Sequence, residues 1–477
     1  MYKQYINGEL VEGKGRILNV YDPATEELIA AFPGADKAQT EEALLAAQEA
    51  FKTYRHSAIQ ERIDLLLKLR DAVIAEKEEI IDLISAESGR PYAQAFIDYN
   101  WFIRSCTYFA EEASRMVGTS FPQVASPYGS VYHITEFRPL GVIVGHLAWN
   151  YPLGNLGVKL CPAIVAGCTG IYKPSSQTPL ATLHIGELCH KLGFPKGVVN
   201  ILSGAASEVA TTLNKSTIPR MLSLIGSSET GLRVMQEGST SIKRYVLECG
   251  GNAPVVIMDD VDIPAVAKAI VAKKCGYTGQ TCVNYNRIYI EENIYDKMIA
   301  AIQEELKNVT IGCHRDPGAF VMGPLIDKAA RDYQFELIKD AVASGATLVC
   351  GGEIPEGFDK GWYITPALVK DVTDDMRMSK EEIFGPIIPV QSFTDFDKVL
   401  EQANNTEYGL SAYFYGHDAR EISKAVEAFE AGEIFVNGAP GTDQTPHPGT
   451  KHSGVGCDKS QWSLQQFFDF KVVSMVP

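Results

Sequence analysis

The stretch between Gly141 and Cys249 constrains this fold more than any other. Short apolar runs at 142–144, 169–172, 198–202, 221–225 and 245–247 alternate with helix-like segments at 156–165, 180–192, 207–213 and 230–236. Strand alternating with helix predicts an α/β architecture built on a parallel, doubly wound sheet. Such sheets bind ligands in the crevice outside the carboxyl ends of their strands. The strand-to-loop junctions are therefore where chemistry is expected.

A second α/β stretch opens at Ala253 and runs to about Asn437. Strands are expected there at 253–258, 287–291, 346–350, 387–391, 411–415 and 433–437. Ahead of the first sheet, residues 5–31 alternate apolar runs with turn signals such as Asn7-Gly8 and Asp22-Pro23, which read as small strands and hairpins. The spacing of Leu44, Ala47, Phe51 and Tyr54 predicts a helix over 37–54. Helical patterning continues with breaks to about Val117, and Gly89-Arg90-Pro91 is its clearest punctuation. Residues 438–456 form a long loop rich in Gly, Pro, His and Thr, and loops of that length are usually functional or disordered. Residues 129–138 read as a hairpin arm, and 470–475 as a strand arriving after the domain is complete. On a monomer both would be open edges, which a second subunit would naturally cover.

Composition narrows the function classes. The 477 residues carry a net charge of −16 with 45% hydrophobic and 21% charged side chains, as in an ordinary soluble globular protein. The acidic balance, with no dense Lys/Arg stripe, argues against a nucleic-acid partner. No segment approaches the roughly 20 apolar residues of a membrane span. The ten cysteines show no CxxC pair and no zinc spacing, so neither a metal nor a disulfide framework is expected. Reduced thiols and a start without a secretory core point to the cytoplasm.

Five junctions carry candidate chemistry. Cys282 lies in the polar loop CGYTGQTCVNYNR, a setting for a soft nucleophile, though a lone cysteine is as often a small buried residue. Asn150, in AWNYP, offers a side-chain amide to a developing oxyanion, or simply forms a turn before Pro152. Lys173, in YKPSS, can meet phosphate or ribose oxygens, or be a solvated strand-end lysine. The segment GSSETG, from Gly226 to Gly231, allows a helix N-terminus to approach a pyrophosphate, or is only a tight turn. Glu248 ends an apolar strand before two glycines. It suits a general base in a partly dry cleft, or is an exposed strand-end carboxylate.

Taken in order, WNYP, KPSSQTP, GSSETG, LECGGN, GQTC, EEIFGP and HSGVG resemble the aldehyde dehydrogenase superfamily over essentially the whole chain. KPSSQTP, LECGGNAPVVIMDD, GQTCVNYNR and ANNTEYGLSAYFY are most similar to its succinate-semialdehyde and lactaldehyde dehydrogenases. The resemblance implies a Rossmann-type cofactor domain over 1–118 and 139–250, a catalytic domain over 251–450, and an oligomerisation arm from 119–138 and 457–477. It implies Cys282 as nucleophile, Asn150 with the Cys282 N–H as oxyanion holders, and Glu248 as the base that hydrolyses a thioester. Trp149, Lys173, Ser175, Ser176, Gly226, Ser227 and Gly231 would contact the cofactor, with Glu382 and Phe384 positioning the nicotinamide end. A homodimer or homotetramer is also implied.

Departures from the family pattern set further expectations. Many NAD-linked members carry a glutamate where Ser176 stands; its absence beside Lys173 predicts NADP preference or dual use of NADP and NAD. The substrate-carboxylate arginine of the nearest relatives is replaced by Val158, followed by Lys159, leaving Arg287 as an anion contact. His447, in the PHPGTKH loop, is expected to face a substrate hydroxyl. Asp458 stands where glutamate is usual, and Asn284 removes a second thiol near Cys282. The expected activity is oxidation of a small polar aldehyde to its acid. A CoA-acylating enzyme and a non-catalytic binding protein of the same fold are the alternatives.

Overall fold

The structure is a computed structural model that describes residues 2–121, 131–315 and 320–476. Two sheets dominate it. The first has eight strands in the order Glu9–Val11, Gln4–Ile6, Val199–Ile201, Thr169–Lys173, Val142–His146, Met221–Ile225, Arg244–Glu248 and Gly454–Val455. Its five middle strands run parallel, as the alternating pattern requires. The helix Pro152–Ala166 follows the strand Val142–His146 and is buried along its whole length. It is covered in turn by the long helix Tyr92–Ala113. Asp98 on that covering helix accepts from the N–H groups of Leu153 and Gly154 at 3.3 and 2.7 Å, capping the buried helix.

The second sheet has seven strands in the order Thr347–Cys350, Ala367–Lys370, Ile387–Phe393, Tyr285–Glu291, Ala253–Ile257, Ser411–Tyr415 and Glu433–Val436. All pairs are parallel except the first. The chain leaves the carboxyl end of one sheet at Glu248 and enters the amino end of the other at Ala253. Only Cys249 to Asn252 lie between, so these two edges must face one another across a cleft.

A third, small sheet joins Ser120–Phe121, Tyr132–Pro139 and Phe468–Met475, the last two paired antiparallel over eight residues. Residues 129 and 130 of the expected hairpin arm lie outside the described residues. Not all of 457–477 stands apart from the first body. Leu464 and Phe467 are buried in the core of the first body, and the helix Ser460–Gln465 packs on Pro152–Ala166, so the free strand begins only at Phe468. The loop expected over 438–456 contains short paired segments, His447–Pro448, Thr450–Lys451 and Gly454–Val455. The strand Ala367–Lys370 had no counterpart in the sequence reading.

Candidate active site

Register aligns the first sheet's carboxyl edge. His146 pairs with Lys173, and Ile225 with Glu248. The loops leaving this edge carry Trp149 and Asn150, Ser175 and Ser176, and Gly226 and Ser227. From the opposite side, Cys282 precedes the strand Tyr285–Glu291, and Glu382 and Phe384 precede Ile387–Phe393. All of these residues, with Glu248, Lys173 and His447, line one cavity of about 820 Å³. That is within the roughly 300–1,000 Å³ typical of small-molecule and cofactor sites.

The loop bearing Cys282 is braced from several directions. Tyr277 and Thr278 hold left-handed backbone at φ 50° and 55°, uncommon for non-glycine residues. Thr278 donates to the Gly323 carbonyl at 2.8 Å, and Asn284 to that of Gly279 at 2.7 Å. The Gln280 carboxamide oxygen accepts from the Ile326 N–H at 2.9 Å. The Arg90 guanidinium, wholly buried, stacks 3.6 Å from the Tyr277 ring centroid and donates to the Asn150 carbonyl. Arg90 thus ties the Asn150 loop to the Cys282 loop. The Asn150 Nδ2 donates to the Gln280 carbonyl at 3.2 Å, and its Oδ1 accepts from Asn155 at 3.4 Å. The amide N–H side of Asn150 therefore faces the nucleophile loop.

Glu248 is buried, and neither carboxylate oxygen has a hydrogen-bond partner among the described residues. Burial, then the neighbouring Asp458 carboxylate, pushes it well above the usual carboxylate range, against the pull of Lys159. Two acceptors without donors in a cavity wall are placed to receive a water or a proton. Burial also pushes the Cys282 thiol up to about 12, with Glu382, Glu248 and Glu433 adding to it and Lys459 opposing. These surroundings favour the neutral thiol over the thiolate.

The cofactor end has complementary chemistry. Burial lowers Lys173 to about 8, and its ammonium donates only to the Pro174 carbonyl, at 3.2 Å, among the described residues. Ser227 caps the helix Ser228–Gly238 by accepting from the Thr230 N–H at 3.2 Å. Gly231 does not line the cavity; a Cβ there would lie 2.9 Å from the Cys249 sulfur, so it serves the close approach of helix to strand. Gly250 likewise makes room, since a Cβ would come within 2.6 Å of Glu382. Glu382 accepts from the Gly251 N–H at 2.9 Å, and burial lifts it to about 7. Phe384 sits edge-on to Trp149 at 5.4 Å with a left-handed φ of 50°. A buried cation, serine hydroxyls and a helix N-terminus at one end, with a half-buried carboxylate at the other, fit a nicotinamide dinucleotide.

Two expected substrate contacts fare differently. His447 lines the cavity, and its Nδ1 meets Glu433 at 2.6 Å. Arg287 does not reach it. Its guanidinium donates to the carbonyls of Asn252, Gln402 and Ala403 and to Tyr289, so it braces the second sheet and is not an anion contact. Asp458 forms a buried pair with Lys159 beside Glu248.

An α/β cleft of this kind, with a half-buried thiol facing an edge that fits a dinucleotide, defines a cofactor-dependent oxidoreductase. The aldehyde dehydrogenase family model matches residues 10–473, and the chain belongs to that family. It is 34% identical over 469 residues to the glutarate-semialdehyde dehydrogenase of Pseudomonas putida, covering 98% of this chain and 96% of the relative. It is also 34% identical over 468 residues to the NADP(+) succinate-semialdehyde dehydrogenase of Escherichia coli, with coverage of 98% and 96%. The crystal structure of Escherichia coli lactaldehyde dehydrogenase superposes with a TM-score of 0.95 at 30% identity, covering 99% of each chain. The chain is an NAD(P)-dependent oxidoreductase acting on the aldehyde group.

Proposed function

We propose that this enzyme oxidises a short polar aldehyde to its carboxylic acid through a covalent adduct on Cys282. The observation that carries this reading is the convergence of Cys282, Asn150, Glu248 and Glu382 on one cavity. The Cys282 sulfur, once deprotonated, attacks the aldehyde carbon to give a thiohemiacetal. The Asn150 amide and the Cys282 N–H hold the oxygen as its charge develops. A bound nicotinamide cofactor supplies the hydride acceptor, which leaves a thioester on Cys282. Glu248 takes a proton from water as that water attacks the thioester, releasing the acid and the thiol. Burial, the main cause of its raised proton affinity, makes the ionised carboxylate a strong base. An intact Glu248 also supports hydrolysis over transfer to the thiol of CoA.

Lys173, Ser175, Ser176 and the Gly226–Ser227 turn are assigned to the phosphate and ribose end, and Glu382 and Phe384 to the nicotinamide end. The serine at 176, next to a buried cation, supports use of NADP as well as NAD. A homodimer or homotetramer is assigned to the strand Phe468–Met475. One of its edges pairs with Tyr132–Pro139, and Phe470 and Val472 on it are 67% and 64% exposed.

The test is an initial-rate matrix of NAD and NADP against succinate semialdehyde, lactaldehyde, glycolaldehyde and an unsubstituted aliphatic aldehyde, with Cys282→Ala as control. Cysteine-dependent turnover of at least one polar aldehyde is expected. No difference between the wild type and Cys282→Ala would sink the covalent route.

A further inference from the structure

The substrate side of the cavity holds more charge than a hydroxyl reader needs. Its wall includes Trp101, Arg104, His447 and Lys459. Two of the three basic groups there are already matched. Arg104 lies 3.4 Å from the Asp443 carboxylate, and His447 meets Glu433 at 2.6 Å. Lys459 is different. No carboxylate lies within 4.0 Å of its ammonium among the described residues, and that ammonium sits 5.2 Å over the Trp101 ring.

The backbone under Lys459 is unusual. Lys459 and Ser460 both adopt left-handed φ, 59° and 61°, although neither is glycine. Such conformations are costly for non-glycine residues and cluster at active sites and ligand clamps. The segment is pinned on both sides. Asp458 is fixed by its buried pair with Lys159, and the Ser460 N–H donates to the Asp443 carbonyl at 2.9 Å. The half-buried Lys459 ammonium is close enough to Cys282 for its charge to favour the thiolate, and it also acts on Glu433. It therefore shares the reaction chamber with the nucleophile, where Arg287 does not reach.

We propose that Lys459 is the receptor for an anionic tail on the substrate, and that the enzyme is selective for short aldehydes ending in a carboxylate. This rests on the aldehyde-oxidising reading and names the substrate class within it. A lysine suits the role as a compact point charge with three donors. Trp101 supplies an apolar wall for the methylenes between aldehyde and carboxylate. His447, held by Glu433 at 2.6 Å, adds hydrogen-bonding capacity to the same wall.

The experiment compares succinate semialdehyde with its methyl ester, which has the same reach without the charge. The readout is the ratio of their kcat/KM values in the wild type, Lys459→Met and Lys459→Arg. A charge-assisted contact predicts that Lys459→Met lowers this ratio by about 10- to 100-fold, mostly through KM, while Lys459→Arg retains most of it. A loss of equal size for both aldehydes, or no change in the ratio, would overturn the proposal. A second readout needs no turnover. Succinate should protect Cys282 of the wild type and of Lys459→Arg, but not of Lys459→Met, from alkylation by iodoacetamide. Absence of protection in the wild type would also overturn it. A wild type that oxidises neither of these two but turns over lactaldehyde or glycolaldehyde would overturn the carboxylate selectivity and leave the aldehyde-oxidising reading standing. No turnover of any aldehyde in the initial-rate matrix would sink that reading, and the protection assay would still decide on Lys459.

Discussion

The Lys159 ammonium and the Asp458 carboxylate meet at 2.5 Å with side-chain exposures of 0 and 3%. Lys159 lies in the middle of a helix with every residue buried, so its charge has no route to water. Removing the partner leaves a buried cation uncompensated, which costs about 3–5 kcal/mol. Asp458→Ala should therefore be strongly destabilised in chemical denaturation at fixed protein concentration. Asp458→Glu, which keeps the pair, should recover most of the loss. An unchanged midpoint in Asp458→Ala would show that water reaches Lys159.

Glu248 separates the two halves of the proposed reaction. Glu248→Gln keeps the shape of the side chain but cannot take a proton from water. Acylation of Cys282 should continue while hydrolysis stalls. Rapid-mixing kinetics should show a burst of about one reduced cofactor per active site, followed by a steady rate slower by about 10²- to 10⁴-fold. Equal loss of burst and steady rate would mean that Glu248 is needed first to deprotonate Cys282.

Most of the cleft was legible because it follows from periodicity. The apolar runs ending at 144, 172, 225 and 247 mark a carboxyl edge, and the loops after them hold Asn150, Lys173, Gly226 and Glu248. What was not legible depends on contacts distant in sequence. Arg90 looks like punctuation between glycine and proline, yet it joins loops at 150 and 277. Glu433 reads as a strand start, and only the fold brings it to His447. Arg287 has the right chemistry for an anion but lies in a strand whose neighbours supply bare carbonyls. Lys459 follows the HSGVG motif by three residues, and its aim depends on backbone angles that composition does not announce. The strand Ala367–Lys370 has four residues, too few to display an alternation.

Ser176 offers a test of cofactor choice. It lines the cavity near Lys173, where a 2′-phosphate would gain from the buried cation. Ser176→Glu adds a like charge against that phosphate, worth about 1 to 4 kcal/mol at about 4 Å between bulk-water and near-surface dielectrics. The ratio of kcat/KM for NADP over NAD should fall at least several-fold in the variant. A wild-type enzyme that strongly prefers NAD would remove the basis for this expectation.

Cys282 should report its surroundings through its own titration. Burial lifts the thiol to about 12, with Glu382 the next contributor, so the thiolate is a minor species at neutral pH. Below that value the thiolate fraction grows about tenfold per pH unit. Alkylation of Cys282 in the cofactor-free enzyme should therefore accelerate about tenfold per unit between about pH 7 and 9, without a plateau. Labelling followed by peptide mass spectrometry distinguishes Cys282 from the other thiols. Glu382→Gln should speed alkylation, because removing a negative charge lowers the thiol's proton affinity. The effect should be larger at about pH 8 than at about pH 6, since burial keeps much of Glu382 protonated below about 7. A rate that levels off below about pH 8 would mean that a base, with Glu382 and Glu248 the candidates on the cavity wall, already holds the proton of Cys282 in the free enzyme.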